Sequence, residues 1–304
     1  MTQPAADLPA QTQAPASIVD TAAAPAAPAK SRYDRSIVEG PLLPAVWRIA
    51  WPTMLTNIFG GLQALIDHVM VGRLVGSDAN AGIGVASQIW IVVIVFLMSV
   101  FTGMSVLVAR YVGAGNEEMA DRTVYQAFLT ATTLSLGILA PVGYFAAPAL
   151  LDFVNAAPDV QEQALPFLRI MFVFSSGMLI FFMLSGALRS AGDARTPMIL
   201  GIVMTFMNIV LNVVLIRGLG PIPAFGTAGS AIGSVIASMI LGVYAMYKLW
   251  HGGWVVSFPR KHGFAPDWGI IKSLFRFGLP TGLQGIAMNI GGLLLLSFIG
   301  SLAL

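Results

Sequence analysis

A single acidic residue, Asp67, lies near the far end of an apolar stretch, Leu42–Gly76, that is long enough to cross a lipid bilayer. A spanning helix needs roughly 20 mostly apolar residues. A carboxylate at membrane depth costs about 2.5–3.5 kcal/mol, so an acid in such a place is expected to have a function. Burial favours a neutral carboxyl whereas a nearby cation favours the charged form, so Asp67 is suited to exchanging a proton for a cation.

Asp67 ends a stripe of polar and small residues along one side of the predicted helix. Thr56, Gly60, Gln63 and Asp67 follow one another at spacings of four, three and four, which places them on one face. This face predicts a wet cavity or a polar partner helix, with Thr56 and Gln63 among the cavity-lining residues. Pro52 removes a backbone hydrogen bond from the same helix and predicts a kink at which it can bend.

A second polar face lies in a later apolar stretch. Thr205, Asn208 and Asn212 recur at spacings of three and four, and amide side chains in lipid are costly unless they are hydrogen-bonded. We therefore expect this face to point inward, with Thr205 lining the cavity. One carboxylate and two amide oxygens suit either a small hard cation or a hydrogen-bonded cage around a titrating acid. Asn208 and Asn212 can equally serve only to hold helices together. Ser234, in the next stretch, could add a hydroxyl.

The composition indicates an all-α integral membrane protein. Hydrophobic residues make up 57% of the 304 residues and charged residues only 10%, with a mean hydropathy of +0.81. Soluble domains carry about 25% charged residues. The absence of cysteine excludes disulfides and thiolate metal sites, and a net charge of +2 is too small to indicate nucleic-acid binding. The expected partners are the lipid bilayer and small molecules.

Seven apolar stretches predict seven membrane spans, at residues 42–76, 81–112, 123–147, 166–188, 198–216, 227–250 and 277–302. Residues 1–35 are rich in Ala, Pro and Gln and predict a disordered tail. Of the 16 Lys and Arg residues, all but Arg73, Arg169 and Arg217 fall on the side of the membrane that holds this tail. The positive-inside rule therefore predicts a cytoplasmic N-terminus.

The seventh span looks like a second copy of the first. The segment Arg48-Ile-Ala-Trp-Pro52-Thr53 resembles Arg276-Phe-Gly-Leu-Pro280-Thr281, and Gly72 matches Gly300 at the same offset. Secondary transporters are often built from two such repeats with the substrate between them. We therefore expect a cytoplasmic tail (1–35), an N-terminal six-helix lobe (36–250), a cytoplasmic inter-lobe loop (251–276) and the first helix of an incomplete C-terminal lobe (277–304).

Four motifs carry a resemblance to a known family: Pro52 with Asp67-His-Val-Met-Val-Gly72, the loop Val112-Gly113-Ala-Gly115, the turn Leu188-Arg189-Ser-Ala-Gly192-Asp193 with Pro197, and Asn208-Ile-Val-Leu-Asn212. From about residue 42 to 301 the chain resembles the multidrug and toxic compound extrusion (MATE) family of cation-coupled antiporters. The resemblance implies twelve helices in two lobes around a central cavity. It also implies multidrug efflux of organic cations or other amphipathic compounds across the bacterial inner membrane, driven by protons or sodium ions, by a monomer without a cofactor.

The resemblance also implies roles for individual residues. Asp67 is the essential acid, Pro52 lies on its bending helix, and Asn208 and Asn212 line the cation site. Some relatives have an Asp in place of Asn212, so this site has one acid fewer, which favours protons over sodium ions. Relatives that bind their cation in the second lobe use a Glu near the position of Met288, which suggests the DinF-like branch. Because helices eight to twelve are absent, we expect a fragment or a truncated gene product.

Other functions remain open on the residues alone. A lipid-linked oligosaccharide flippase of the same superfamily should line its cavity with arginines, and Arg169 and Arg217 are expected near span ends. A seven-helix receptor of the retinal-binding kind needs a lysine in a late helix, and the seventh span has none. An intramembrane enzyme needs paired acids or buried histidines, and the spans offer one acid, so no enzymatic activity is expected. A truncated transporter without function is the remaining alternative.

Overall fold

The computed structural model describes residues 41–154, 156–219, 221–258 and 265–302, except for the side chains of Asp78, Phe96 and residues 289–302. The predicted disordered tail, 1–35, lies outside the described residues. The described segments are helical and contain no strand. In chain order the helices are α1 (Leu42–Leu74), α2 (Ser77–Gly113), α3 (Glu117–Thr133), α4 (Ala140–Phe153), α5 (Pro158–Val173), α6 (Ser176–Ser190), α7 (Arg195–Arg217), α8 (Gly226–His251) and α9 (Trp268–Leu302).

Length and composition identify the helices that can cross a membrane. Within the described residues these are α1, most of α2, the continuous α3–α4 segment Glu117–Phe153, α7 and α8. The pair α5 and α6 passes the same test as one span bent by 57°. These six spans correspond to the first six predicted from the sequence. The seventh predicted span falls within α9, part of whose side chains lie outside the description.

The fourth span is broken, whereas the sequence predicted a continuous helix over 166–188. Helix α5 ends at Val173 and α6 starts at Ser176, and polar contacts of Ser175 mark the break. The Ser175 Oγ donates to the Phe172 carbonyl at 3.1 Å and lies 2.8 Å from the Ser135 Oγ. Ser135 belongs to a π-helical turn, Leu134–Leu139, that joins α3 to α4 just before Pro141. Such turns absorb the register change that a proline without an N–H imposes.

Two predicted loops are shorter than expected. Residues 148–165 fall between the third and fourth predicted spans, but α4 continues to Phe153 and α5 begins at Pro158, where a missing N–H costs nothing. Helix α9 begins at Trp268, before the predicted start at Phe277 and inside the predicted loop 251–276. The reason is Asp267, whose Oδ1 accepts hydrogen bonds from the backbone N–H of Gly269 (2.9 Å) and of Ile270 (3.3 Å) and so caps the helix.

Helix α2 lies at the centre of the packing and contacts α1, α3, α5, α6 and α9. Two groups of buried apolar side chains surround it. One joins α2 to α3, α6, α8 and α9 and includes Met104, Leu184 and Leu274. The other joins α2 to α4, α5, α7, α8 and the far end of α1. Within it, Trp90 of α2 meets the edge of the Phe172 ring of α5, with the ring centroids 5.6 Å apart. Helix α1 packs mainly along α7, and this pairing positions the acid found in the sequence.

Candidate functional site

Asp67 contacts the polar face of α7, as the spacing of both faces predicts. The Asn212 Nδ2 donates a hydrogen bond to the Asp67 Oδ1 at 2.7 Å. Asn208 and Asn212 are fully buried, whereas Asp67 is half-buried. A buried amide that donates to a carboxylate makes a charge-assisted hydrogen bond, which is stronger than one between neutral groups. Asp67 is therefore fixed to α7 at membrane depth, and part of its carboxyl group remains accessible.

Asn208 connects Asp67 to the next helix. In the amide orientation that satisfies both of its ends, the Asn208 Nδ2 donates to the Asp67 Oδ1 at 3.1 Å. Its Oδ1 then accepts from the Ser234 Oγ of α8 at 2.8 Å. Amide orientations follow from the surrounding hydrogen-bond network, and this one pairs a donor with the acid. Asp67, Asn208, Asn212 and Ser234 thus form one cluster across α1, α7 and α8, which we call the Asp67 cluster.

A glycine of α8 makes room for this cluster. The Asn212 Oδ1 is buried and has no hydrogen-bond partner among the described residues. It lies against Gly233, where an added Cβ would overlap it. A carbonyl oxygen of an amide has two lone pairs and normally accepts a hydrogen bond when buried. The Asn212 Oδ1 is therefore directed at α8 and away from the acid, and Asn212 itself is absent from the lining of the neighbouring cavity.

Of the other predicted residues of α1, Gln63 makes a hydrogen bond to α7, whereas Thr56 makes one within α1 itself. The Gln63 Oε1 accepts a hydrogen bond from the Thr205 Oγ1 at 3.0 Å, so a second polar contact joins α1 to α7. The Thr56 Oγ1 donates to the Pro52 carbonyl at 2.8 Å within its own helix. Pro52 is buried and lies well away from Asp67 along α1, so any effect that it has on the acid acts through the helix.

His68, next to Asp67, is a packing histidine. Its Nδ1 lies 2.9 Å from the Asn80 Oδ1 of α2. This contact is on a different side of α1 from the Asp67 cluster, as the one-residue offset in the sequence predicts. His68 therefore ties α1 to α2 and does not face the same partners as the acid.

The Asp67 cluster opens into a cavity of about 510 Å³ between α1, α2, α5, α6, α7 and α8. This volume falls within the range of about 300–1,000 Å³ that is typical of sites for drug-sized ligands. The predicted residues Thr56, Gln63, Asp67, Thr205, Asn208 and Ser234 line it. Gly60 and Gly61 also line it, and an added Cβ at either would meet no atom within 4 Å.

The cavity also contains residues that the sequence analysis did not single out. Its apolar wall is formed by methionine and aromatic side chains from α2, α5, α6 and α7, namely Trp90, Phe167, Met171, Met178, Phe181, Phe182 and Met204. Arg189 lines it as well, although the sequence placed this residue in a turn. The spacing of Phe181, Ser185 and Arg189 follows one helical face and could have revealed it.

Two arginines expected near span ends are absent from the cavity lining. Arg169 lies within the second half of α5, where its guanidinium carbon stacks 4.6 Å from the centre of the Tyr144 ring. Arg217 is the last residue of α7. Among the described residues, Arg189 is therefore the one basic side chain in the cavity lining, and the lining is not the arginine-rich surface that a large anionic substrate requires.

Comparisons with known proteins agree with this fold. The chain is 28% identical over 262 residues to the probable multidrug resistance protein YoeA of Bacillus subtilis (strain 168), a match that covers 84% of this chain and 56% of YoeA. It is 28% identical over 256 residues to the probable multidrug resistance protein NorM of Thermotoga maritima, covering 81% of this chain and 52% of that protein. The chain thus spans about half the length of the curated relatives it matches.

Solved structures show the same helix arrangement. A MOP superfamily transporter from Pyrococcus furiosus superposes with a TM-score of 0.77 at 24% identity, covering 86% of this chain and 56% of the other. The sequence model of the MatE family matches residues 52–214, a segment that begins at Pro52 and ends just after Asn212. The matched segment contains the acid, both amides and most of the cavity. The chain therefore belongs to the MatE (MATE) family, which consists of membrane transporters and not of enzymes.

Proposed function

We propose that this chain is the N-terminal half of a secondary active multidrug efflux transporter that exports organic cations and other amphipathic compounds in exchange for protons. The observation that carries the proposal is the Asp67 carboxyl, which lines a drug-sized cavity inside a helical membrane lobe. Relatives named as multidrug resistance proteins support the substrate class. The missing half would supply the second lobe, and the full-length protein would work as a monomer.

The mechanism follows from competition for one carboxyl. A cationic substrate and a proton both neutralise Asp67, so the two occupants exclude each other and their fluxes are coupled. Because one proton enters for each monovalent cation that leaves, the exchange moves no net charge across the membrane potential, and the pH gradient drives it. Helix α1 can respond to the change of charge because Pro52, Gly60 and Gly61 lower its resistance to bending.

The hydrogen bonds around Asp67 favour protons over sodium ions as the coupling ion. The amide nitrogens of Asn212 and Asn208, rather than their oxygens, face the Asp67 carboxyl. A sodium ion would need several oxygen ligands directed at one point. N–H donors instead stabilise the carboxylate in the state in which no proton is bound. Sodium coupling is the alternative.

Three further assignments belong to the same proposal. The protein resides in the bacterial inner membrane, because its named relatives are bacterial and its helices are long enough to span. The N-terminus is cytoplasmic by the distribution of basic residues. The absence of an acid at Met288 suggests the DinF-like branch of the family.

The test is efflux of a fluorescent organic cation from vesicles that contain the full-length protein from its native gene. We expect Asp67→Asn to abolish efflux driven by a pH gradient while membrane insertion is retained, because the amide cannot exchange a proton. Asp159→Asn is the matched control, since this acid is exposed on α5 outside the cavity. Efflux that persists in Asp67→Asn contradicts the proposal. Efflux that follows a sodium gradient but not a pH gradient would identify sodium as the coupling ion in place of the proton, and the proposed role of Asp67 would stand.

A further inference from the structure

The cavity carries opposite charges at its two ends. Helix α1 lines it from Thr56 to Asp67, a rise of about 16 Å at 1.5 Å per residue. Helix α6 lines it over a similar length, from Met178 to Arg189. The 57° bend leaves α6 running in broadly the same direction as α5, and successive spans alternate, so α6 ends on the side where α1 begins. Asp67 and Arg189 therefore lie toward opposite ends of the cavity.

Arg189 has no ion-pair partner among the described residues. Its Nε donates a hydrogen bond to the Ser185 carbonyl one turn earlier, at 3.0 Å, and this contact holds the side chain along α6. The acid nearest in sequence, Asp193, is used elsewhere. The Asp193 Oδ1 accepts from the backbone N–H of Arg195 (3.1 Å) and of Thr196 (3.0 Å), and its Oδ2 accepts from the Thr196 hydroxyl. The terminal nitrogens of the Arg189 guanidinium thus remain available to a ligand.

A second donor in the cavity wall also lacks an acceptor. The Trp90 indole Nε1 is buried and has no hydrogen-bond partner in the described part of the chain, and Trp90 lines the same cavity. Buried donors are paired in the large majority of cases, so an unpaired one in a ligand cavity indicates where a ligand acceptor can bind. The Arg189 guanidinium and the Trp90 indole N–H are thus two available hydrogen-bond donors in a cavity lining that is otherwise rich in aromatic and methionine side chains.

We propose that Arg189 is a specificity-determining residue that binds the carboxylate of amphoteric aromatic substrates, whose cationic group is directed to the Asp67 end. The inference rests on the proposed function and deepens it by naming a substrate class. A guanidinium presents its N–H groups as a planar fork that matches a carboxylate, which an ammonium does not. Without Arg189, a carboxylate entering a cavity that already holds Asp67 would meet only a like charge. The apolar wall accommodates the planar body of the substrate.

The test compares two dyes that differ in a single carboxyl group. Rhodamine B carries a free carboxylate and a delocalised cation, and its ethyl ester carries the cation alone. Binding of each dye to the full-length protein from the native gene, purified in lipid nanodiscs, is measured by fluorescence polarisation. We expect Arg189→Gln to weaken the binding of rhodamine B at least tenfold and to change that of the ester less than twofold. The matched control Arg195→Gln removes an exposed arginine in the same turn and should change neither.

The outcomes separate a ligand contact from a structural role. If Arg189→Gln weakens the binding of both dyes equally, or of neither, the inference is overturned. It is also overturned if the wild-type protein binds neither dye. If Arg189→Gln does not yield folded protein, Arg189→Lys decides, because it keeps the charge and loses the fork. A selective loss of rhodamine B binding in that variant supports the inference, and an equal loss contradicts it. Failure here leaves the Asp67→Asn efflux result unchanged, whereas retained efflux in Asp67→Asn removes the proposed function itself.

Discussion

Helices α1 and α9 begin with a similar short motif but are held in the protein in different ways. Each has an arginine four residues before a proline–threonine pair, Arg48 with Pro52 and Arg276 with Pro280, and each continues as a long helix through the proline. Pro52 is buried and Pro280 is exposed. A repeated motif thus produces two helices of similar length whose buried faces differ.

The difference lies in what each helix presents to its neighbour. Only three residues of α1 are buried, and its contacts with α7 include the hydrogen bonds of Asp67 and Gln63. Helix α9 instead brings Gly278 and Gly282 against Ser99 of α2, where an added Cβ would overlap the partner. At the corresponding positions α1 has alanine and methionine, whose side chains prevent so close an approach. Small residues, and glycine above all, allow close helix packing in membranes.

This comparison suggests that the chain combines a helix held by exchangeable side-chain contacts with a helix held by close backbone packing. Side-chain hydrogen bonds, worth about 1 kcal/mol each, can be exchanged when the charge of Asp67 changes. Backbone contacts across a glycine seam cannot be exchanged without separating the helices. The start of α9 is also capped by Asp267, whereas α1 has no side-chain cap at Pro41. We therefore expect α1 to move in the transport cycle while α9 remains attached to α2.

The largest expected effect comes from filling the glycine seam. Gly278→Ala should lower the free energy of unfolding by about 3 kcal/mol, because its Cβ would overlap the Ser99 carbonyl and force two backbones apart. Gly61→Ala in α1 is the matched control. Its Cβ meets no atom within 4 Å, and alanine favours a helix over glycine by roughly 0.5–1 kcal/mol, so it should be neutral or stabilising. Thermal unfolding followed by tryptophan fluorescence measures both, and equal destabilisation by the two alanines would remove the distinction between a fixed α9 and a movable α1.

A smaller effect is expected where α1 is held through a side chain. Gly233→Ala in α8 would push the Asn212 Oδ1 and weaken the hydrogen bond from Asn212 to Asp67, at a cost of about 1–2 kcal/mol. Gly242→Ala in the same helix is the control, since its Cβ would make only ordinary contacts with Gly177 from 3.4 Å. Thermal unfolding should show the difference in stability. A Gly233→Ala protein as stable as Gly242→Ala would show that Asn212 does not hold α1.

The smallest effect concerns the start of α9. Asp267→Ala should cost about 1 kcal/mol, because it removes the helix cap together with a partly exposed ion pair in which the Arg122 Nη2 lies 2.8 Å from the Asp267 Oδ2. Asp267→Asn keeps the cap and loses only the charge pair, so it should be nearly neutral. Unfolding measurements on both variants separate the two contributions. A loss in Asp267→Asn equal to that in Asp267→Ala would assign the effect to the ion pair instead.

The start of α9 and the break within the fourth span could not be predicted from the sequence. Apolar stretches located six spans because a lipid-crossing helix must be long and apolar whatever it packs against. The start of α9 at Trp268 depends on Asp267 meeting Arg122 and Gln126 of α3, a contact between residues far apart in the chain. The break after Val173 likewise depends on Ser175 meeting Ser135 of another segment. Neither contact leaves a periodic signal.

The sequence by itself determined that Asp67, Asn208 and Asn212 would be brought to inward faces, because unpaired polar groups in lipid are costly and helical spacing fixes which residues share a face. Only the tertiary structure decided how they meet: that amide nitrogens face the carboxyl, and that Gly233 leaves room for Asn212. It also decided that Arg189, in a segment that reads as a turn, lines the cavity. Spacing along one helix sets the direction of a side chain, but its partner is set by how the helices pack.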